Sequence, residues 1–267
     1  MLPLLKAAIL GLIQGLFEFL PVSSTAHLLI AGRLLGYDDP GGVFTVMIQL
    51  GSIVAVVWLY RAKIISVVGG LPSRPEGRRF AAMIMLATLP ALVAGALFSN
   101  FVKSVLYASI AVIAVAFIAG GIVMLLVERF RPAPEVFDVD SLPIPRALAI
   151  GSFQALALIP GVSRSGGTIV AAMAMRVDRA AAAEFTFFLA MPTMAAAFAK
   201  NLLEVRHDLG RERGLEIAVG FVMAFIASAL VVKPFLGYVR RSGFAPFAWY
   251  RIVFGAALLA GLAAGWV

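Results

Sequence analysis

Apolar residues run along this chain in long blocks parted by short polar loops, with no sustained two-residue alternation of the kind a strand shows. A spanning helix needs about 20 mostly apolar residues. Six blocks reach that length, at 42–60, 80–99, 104–127, 185–203, 215–234 and 246–267. Two more apolar stretches, 4–35 and 147–175, are interrupted near their middles by LPVSST and IPGVSRSGG. Proline and glycine stop one helix there, and the hydroxyl residues offer caps to the next, so each stretch predicts a re-entrant hairpin. The first is not read as a cleaved signal peptide, because Glu18 lies inside its apolar run and no small-residue cleavage site follows cleanly. The expectation is an all-α integral membrane protein of six transmembrane helices plus two re-entrant helical hairpins, in a single membrane domain over 1–267.

Composition agrees, since 62% of the 267 residues are hydrophobic and only 13% charged, too apolar a chain to hide in one water-soluble domain. The net charge of +8 does not point to nucleic acid, because the basic residues gather in short loops, where they report topology instead. Loops 61–79 (Arg61, Lys63, Arg74, Arg78, Arg79), 129–146 (Arg129, Arg131, Arg146) and 236–244 (Arg240, Arg241) are expected in the cytoplasm. Six spans satisfy all three at once with both termini outside. Loop 204–214 then falls outside, its Arg206, Arg211 and Arg213 mixed with Glu204, Asp208 and Glu212. The absence of cysteine excludes disulfides and thiolate chemistry.

Shifting the chain against itself by 140 residues pairs GLIQGLFEFLPVSSTAHLLIAG (11–32) with GSFQALALIPGVSRSGGTIVAA (151–172) without a gap. Gln14 then meets Gln154 and Ser23 meets Ser163, and FTVMIQLG (44–51) follows against FTFFLAMP (185–192) after one extra residue. Each half, about 1–128 and about 146–267, holds a hairpin and three spans. An odd number of spans turns the second half upside down, so the expected architecture is an inverted-topology repeat. Folds of this kind bring their broken helices together near the bilayer midplane.

Within QGLFEFLPVSSTAH (14–27), Glu18 lies one turn after Gln14, Pro21 ends the helix, and Ser23, Ser24 and Thr25 stand where the next begins. A carboxylate inside a membrane segment costs about 2.5–3.5 kcal/mol on insertion scales and marks a functional site by default. The other reading of Glu18 is a partner for a buried arginine, and of Ser23 and Thr25 simple capping. PGVSRSGGT (160–168) supplies Ser163, Arg164, Ser165 and Thr168 beside a Pro-Gly break. Helix N-terminal N–H groups and a guanidinium fork favour an anion there, phosphate above all. His27 comes within one turn of Ser24 and is read either as a proton carrier or as an oriented hydrogen-bond partner. His207 reads as loop surface, and Lys200, Lys233 and Arg251, near span ends, as snorkelling side chains.

The two strings QGLFEFLPVSSTAH and PGVSRSGGT, with IQLGS (48–52) and EFTFFLAMP (184–192) in matching order, resemble the signature motifs of the undecaprenyl pyrophosphate phosphatases, also called bacitracin-resistance proteins. The resemblance covers nearly the whole chain. It implies hydrolysis of a polyprenyl pyrophosphate to the monophosphate and inorganic phosphate at the outer face of the bacterial cytoplasmic membrane, recycling the carrier lipid for cell-wall synthesis. It assigns Glu18 as the essential carboxylate, Ser24 as the nucleophilic hydroxyl and Arg164 as the phosphate-gripping guanidinium, with His27 in a supporting catalytic role; direct attack by an activated water is the alternative to Ser24. Gln14, Ser23, Thr25, Ser163, Ser165 and Thr168 are the expected phosphate contacts. Gln14 stands where many relatives carry a second glutamate, so no protein metal site is expected, and a divalent cation (Mg or Ca) would arrive bound to the substrate pyrophosphate. Membrane lipids are the other expected partners, and a homodimer stays open. The rival from another class is an inverted-repeat secondary transporter or lipid flippase.

Overall fold

The computed structural model describes residues 3–39, 42–101, 109–205 and 213–265. Among them every regular element is a helix, apart from an isolated bridge between Val136 and Val177. Both interrupted stretches break as their sequences predict. Helix α1 (Pro3–Phe17) turns at 18–23 into α2 (Ser24–Leu35), and α7 (Ile144–Phe153) tightens to a 3-10 turn (Gln154–Leu158) before α8 (Arg164–Ala174). The long helices are α3 (Val43–Leu59), α5 (Pro75–Phe101), α6 (Ile110–Phe130), α9 (Arg179–Val205), α10 (Gly214–Ser242) and α11 (Ala245–Ala263). Five of these are long and apolar enough to cross a membrane, and a sixth counts if α3 is taken with α4 (Arg61–Gly70), from which it is bent by 73°. The chain is thus a multi-pass membrane protein. Large apolar side chains such as Leu97, Leu230 and Val253 face outward, a surface that lipid covers and water would not tolerate.

Helix α4 occupies the first half of loop 61–79, where the hydropathy pattern predicts only a connection. The start of the span at 104, and Arg206, His207 and Arg211 of loop 204–214, lie outside the described residues.

The basic loops meet at one end of the bundle. Lys63 pairs with Asp140 at 2.7 Å, and Arg79 donates to the carbonyls of Asp140 (2.6 Å) and Leu142 (2.8 Å). Glu128, at the end of α6, accepts from Arg179 at the start of α9 and from the Phe244 backbone N–H ahead of α11. At the same end Glu135 is clasped by Arg176 and then Arg146, which hold its carboxyl below the ordinary carboxylate range. At the opposite end Lys6 donates to the Gly36 carbonyl and Tyr37 to Glu216.

Glycine sets the closest helix crossings. A Cβ on Gly11 of α1 would lie 2.3 Å from the Gly220 carbonyl oxygen of α10, and one on Gly151 of α7 would lie 2.0 Å from that of Ala87 in α5. Helices α6 and α11 cross reciprocally: a Cβ on Gly121 would come within 2.7 Å of Ala248 O, and one on Gly255 within 2.7 Å of Ala114 O. Small residues allow this approach where lipid removes the hydrophobic drive for helices to pair. Of the five spanning helices α9 is the most enclosed, half of its span being buried inside the protein against 22–33% for the other four. Phe185, Phe187 and Phe188 of α9 pack with Phe19, Phe80 and Phe235 into the main core behind the first hairpin.

Candidate active site

The two hairpin breaks face each other across a cavity of about 230 Å³, lined by Glu18, Ser23, Ser24 and Thr25 from one and by Ile159, Pro160, Gly161, Ser163 and Arg164 from the other. Glu18 is the hub. Its Oε2 accepts from Ser24 Oγ at 2.6 Å and from Gln14 Nε2 at 2.7 Å, and its Oε1 accepts from Arg164 Nη2 at 2.7 Å. The carboxylate is 7% exposed, and these three donors offset the cost of holding it there. Arg164 has its second terminal nitrogen, Nη1, buried with no partner among the described residues. One half of its fork is therefore committed and the other available to an anion.

Backbone strain positions the two key residues. Ser23 and Ser163, each directly ahead of a hairpin's second helix, have φ of 66° and 68°, a region that costs a side chain about 1–3 kcal/mol and persists only where its surroundings enforce it. Ser163 is held by its own cap, its Oγ accepting from the Gly166 N–H at 3.1 Å. Ser23 makes no side-chain cap. Its carbonyl instead faces His27 Nδ1 at 2.8 Å. A carbonyl only accepts, so Nδ1 carries the proton in the neutral ring and Nε2 accepts from Tyr250 Oη at 2.6 Å. The uncapped start of α2 leaves its first N–H groups, beginning at Ser24, for an anion.

The six expected phosphate contacts divide. Ser23, Thr25 and Ser163 line the cavity, whereas Gln14, Ser165 and Thr168 do not. Gln14 holds Glu18, Ser165 donates to the Leu20 carbonyl of the facing hairpin at 2.8 Å, and Thr168 donates to the Arg164 carbonyl one turn back at 2.8 Å. His27 also lies off the cavity, stacked on Phe254 and Tyr250, with its ring nitrogens bonded to the Ser23 carbonyl and Tyr250 Oη.

Sequence reasoning missed Gln49, Gln154 and Thr193 on the far wall of the cavity. Thr193 spends its proton on the Leu189 carbonyl and accepts from Gln154 Nε2 at 2.9 Å. The pairing of Gln154 with Gln14 in the repeat was the available signal. The larger correction concerns Arg251. It does not snorkel: it is fully buried, and its guanidinium donates to four backbone carbonyls, among them those of Pro21 and Gly161 in the two breaks. Only the fold reveals this, because Arg251 stands near a helix start in sequence.

Glu18 commits both oxygens to hydrogen-bond donors, and no group of three or more His, Cys, Asp or Glu able to hold a metal occurs among the described residues. Among the residues that line the cavity, Glu18 is the one carboxylate.

The family model of the bacitracin resistance protein BacA matches residues 7–257. The chain belongs to that family. Within it, a protein of Cereibacter sphaeroides is 51% identical over 98% of this chain and 97% of its own length. Relatives from Paracoccus denitrificans (47%, covering 97% of both chains) and Agrobacterium fabrum (48%, covering 95% and 94%) are similar over the same extent. The first two are named undecaprenyl-diphosphatase and the third undecaprenyl-diphosphatase 1. Bacitracin resistance proteins thus match both hairpins, and the cavity between them lies wholly inside the matched region.

Proposed function

We propose that this chain is an undecaprenyl-diphosphatase that cleaves the terminal phosphate from a polyprenyl pyrophosphate with Ser24 as nucleophile. The observation that carries the reading is the Ser24–Glu18–Arg164 chain of hydrogen bonds at one cavity: a hydroxyl donating to a carboxylate that is itself fixed by a guanidinium whose other terminal nitrogen has no partner among the described residues. Ser24 Oγ attacks the terminal phosphorus and Glu18 takes its proton. The bridging P–O bond breaks, and the lipid monophosphate leaves. Water then attacks the phosphoserine, inorganic phosphate departs, and Glu18 returns its proton to the Ser24 oxygen. Arg164 Nη1 and the N–H groups at the start of α2 hold the equatorial oxygens, so positioning and electrostatics supply most of the rate. His27 acts by holding Ser23, and through it Ser24, rather than by moving a proton.

The reading includes an inverted repeat of two halves, about 1–128 and about 146–267. In its support, residues 140 apart behave alike: Ser23 and Ser163 share left-handed φ, and Gly11 and Gly151 each meet a backbone carbonyl of the other half. Corresponding helices also run in opposite senses, since α6 ends and α11 begins near Glu128. The outer face of the cytoplasmic membrane is the proposed side of action. Gln49, Ala91 and Ala197 of the cavity sit in the halves of α3, α5 and α9 remote from the basic loops, which belong in the cytoplasm. Released monophosphate at that face returns to the carrier cycle of wall synthesis.

Purified protein in detergent, where there is no compartment to transport into, tests the reading. Release of inorganic phosphate from farnesyl pyrophosphate by wild type, and its loss in Ser24→Ala, is expected. Silence in detergent together with lipid translocation in vesicles would transfer the chain to the transporter class.

A further inference from the structure

Arg251 is a charge for which the phosphatase reading has no use. It does not line the cavity, it is 0% exposed, and no carboxylate pairs with it among the described residues. A buried cation without a counter-ion is costly. The protein meets the cost with carbonyls: Nη1 donates to Pro21 O and Val162 O, both at 3.1 Å, and Nη2 to Gly161 O at 2.9 Å and Ala116 O at 3.1 Å. The Phe117 ring lies 5.3 Å beneath the guanidinium carbon and adds a cation–π contact. Space has been cleared as well, since a Cβ on Gly120 would fall 2.2 Å from Nη2.

The choice of carbonyls is informative. Pro21 and Gly161 are 140 residues apart and so hold the same place in the two repeats, three residues before Ser24 and Arg164 respectively. One guanidinium therefore bonds corresponding points of both breaks, immediately behind the two residues that must meet on one phosphoryl group. A planar fork with five donors fixes such a distance, while a single ammonium on a flexible stem does not.

Resting on the phosphatase reading, we propose that Arg251 is a positioning residue that sets Ser24 against Arg164 by clasping both hairpin breaks from behind the site. Its loss costs alignment rather than affinity. A displacement of about 1 Å between nucleophile and phosphoryl group lowers the rate by about a hundredfold, whereas the phosphate contacts at Arg164 and α2 persist.

Two variants perturb the clasp differently: Arg251→Lys keeps the charge and loses the fork, and Gly120→Ala keeps the arginine and pushes it aside. Gly11→Ala is the control, crowding the α1–α10 crossing at Gly220 O, away from both Arg251 and the Phe117 ring beneath it, and so disturbing packing without displacing the guanidinium. For each, kcat on farnesyl pyrophosphate is measured beside the Kd and site count of its non-hydrolysable methylene analogue, the site count correcting for unfolded protein. The expected result is a kcat loss of about a hundredfold in both clasp variants, with analogue Kd within about threefold of wild type. Gly11→Ala should lower the melting temperature yet keep kcat per binding site. Clasp variants that keep wild-type kcat per site, or that bind no analogue, overturn the proposal. A wild type that binds the analogue but releases no phosphate would instead remove the phosphatase reading on which it rests.

Discussion

Replacing Arg164 by lysine separates charge from geometry at the centre of the site. In the wild type, Nη2 holds Glu18 at 2.7 Å while Nη1 stays buried with no partner among the described residues, ready for a phosphate oxygen. Lysine brings one ammonium that cannot serve both with the same planar spread. If it stays on Glu18, the phosphoryl group loses a charge-assisted hydrogen bond of about 1.5–3 kcal/mol. If it turns to phosphate, the buried carboxylate loses its counter-ion at a cost of about 3–5 kcal/mol. The cheaper branch sets the effect, and at about 1.4 kcal/mol per factor of ten it amounts to a loss of about 10- to 150-fold in kcat/KM. Steady-state phosphate release from farnesyl pyrophosphate in detergent measures it, with a melting curve to compare folding. A kcat/KM within about threefold of wild type would refute the reasoning and reduce Arg164 to a generic positive charge.

Ser24→Ala and Glu18→Gln should each lower kcat by about a hundredfold or more, because nucleophile and base act as a unit. His27→Ala should cost less than either, since its ring nitrogens bond Ser23 O and Tyr250; a larger loss in His27→Ala would return it to proton transfer. Gly11→Ala and Gly151→Ala should each destabilise the protein by about 1–3 kcal/mol, the range for overpacked contacts, read as a drop in detergent melting temperature. An unchanged melting temperature would deny the close approach of α1 to α10 and of α7 to α5. Reporter fusions at residues 70 and 137 should both report the cytoplasm, and opposite readings would dismantle the inverted repeat.

Hydropathy made the long helices legible because lipid imposes a length and a composition that few other environments demand. The breaks were legible for a related reason: Pro21 and the Pro160–Gly161 pair stand just ahead of clustered hydroxyl residues, unlike Pro90, Pro192 and Pro234, which lie inside α5, α9 and α10, and the repeat tied the two breaks together. Glu18 and Arg164 stood out as charges in apolar surroundings. What escaped was mainly what depends on contacts distant in sequence. Arg251 and Lys233 look alike beside span ends, yet the first meets four carbonyls and the second is exposed. Thr168 reads as a ligand in the motif but bonds one turn back along its own helix, and Gln49 joins the cavity only because α3 passes the hairpins. Helix α4 was missed because its short, weakly apolar sequence carries no signal that a spanning-length window detects.

Trapping the covalent intermediate tests the Ser24 mechanism most directly. Wild-type protein is mixed with substrate labelled in the terminal phosphate, quenched with acid within a turnover, and its peptides are mapped. The account predicts label on the peptide carrying Ser24, located at that residue as phosphoserine, and none in Ser24→Ala. Unlabelled wild-type protein, together with a Ser24→Ala variant that still turns over at a substantial fraction of the wild-type rate, would contradict it and give the attack to water.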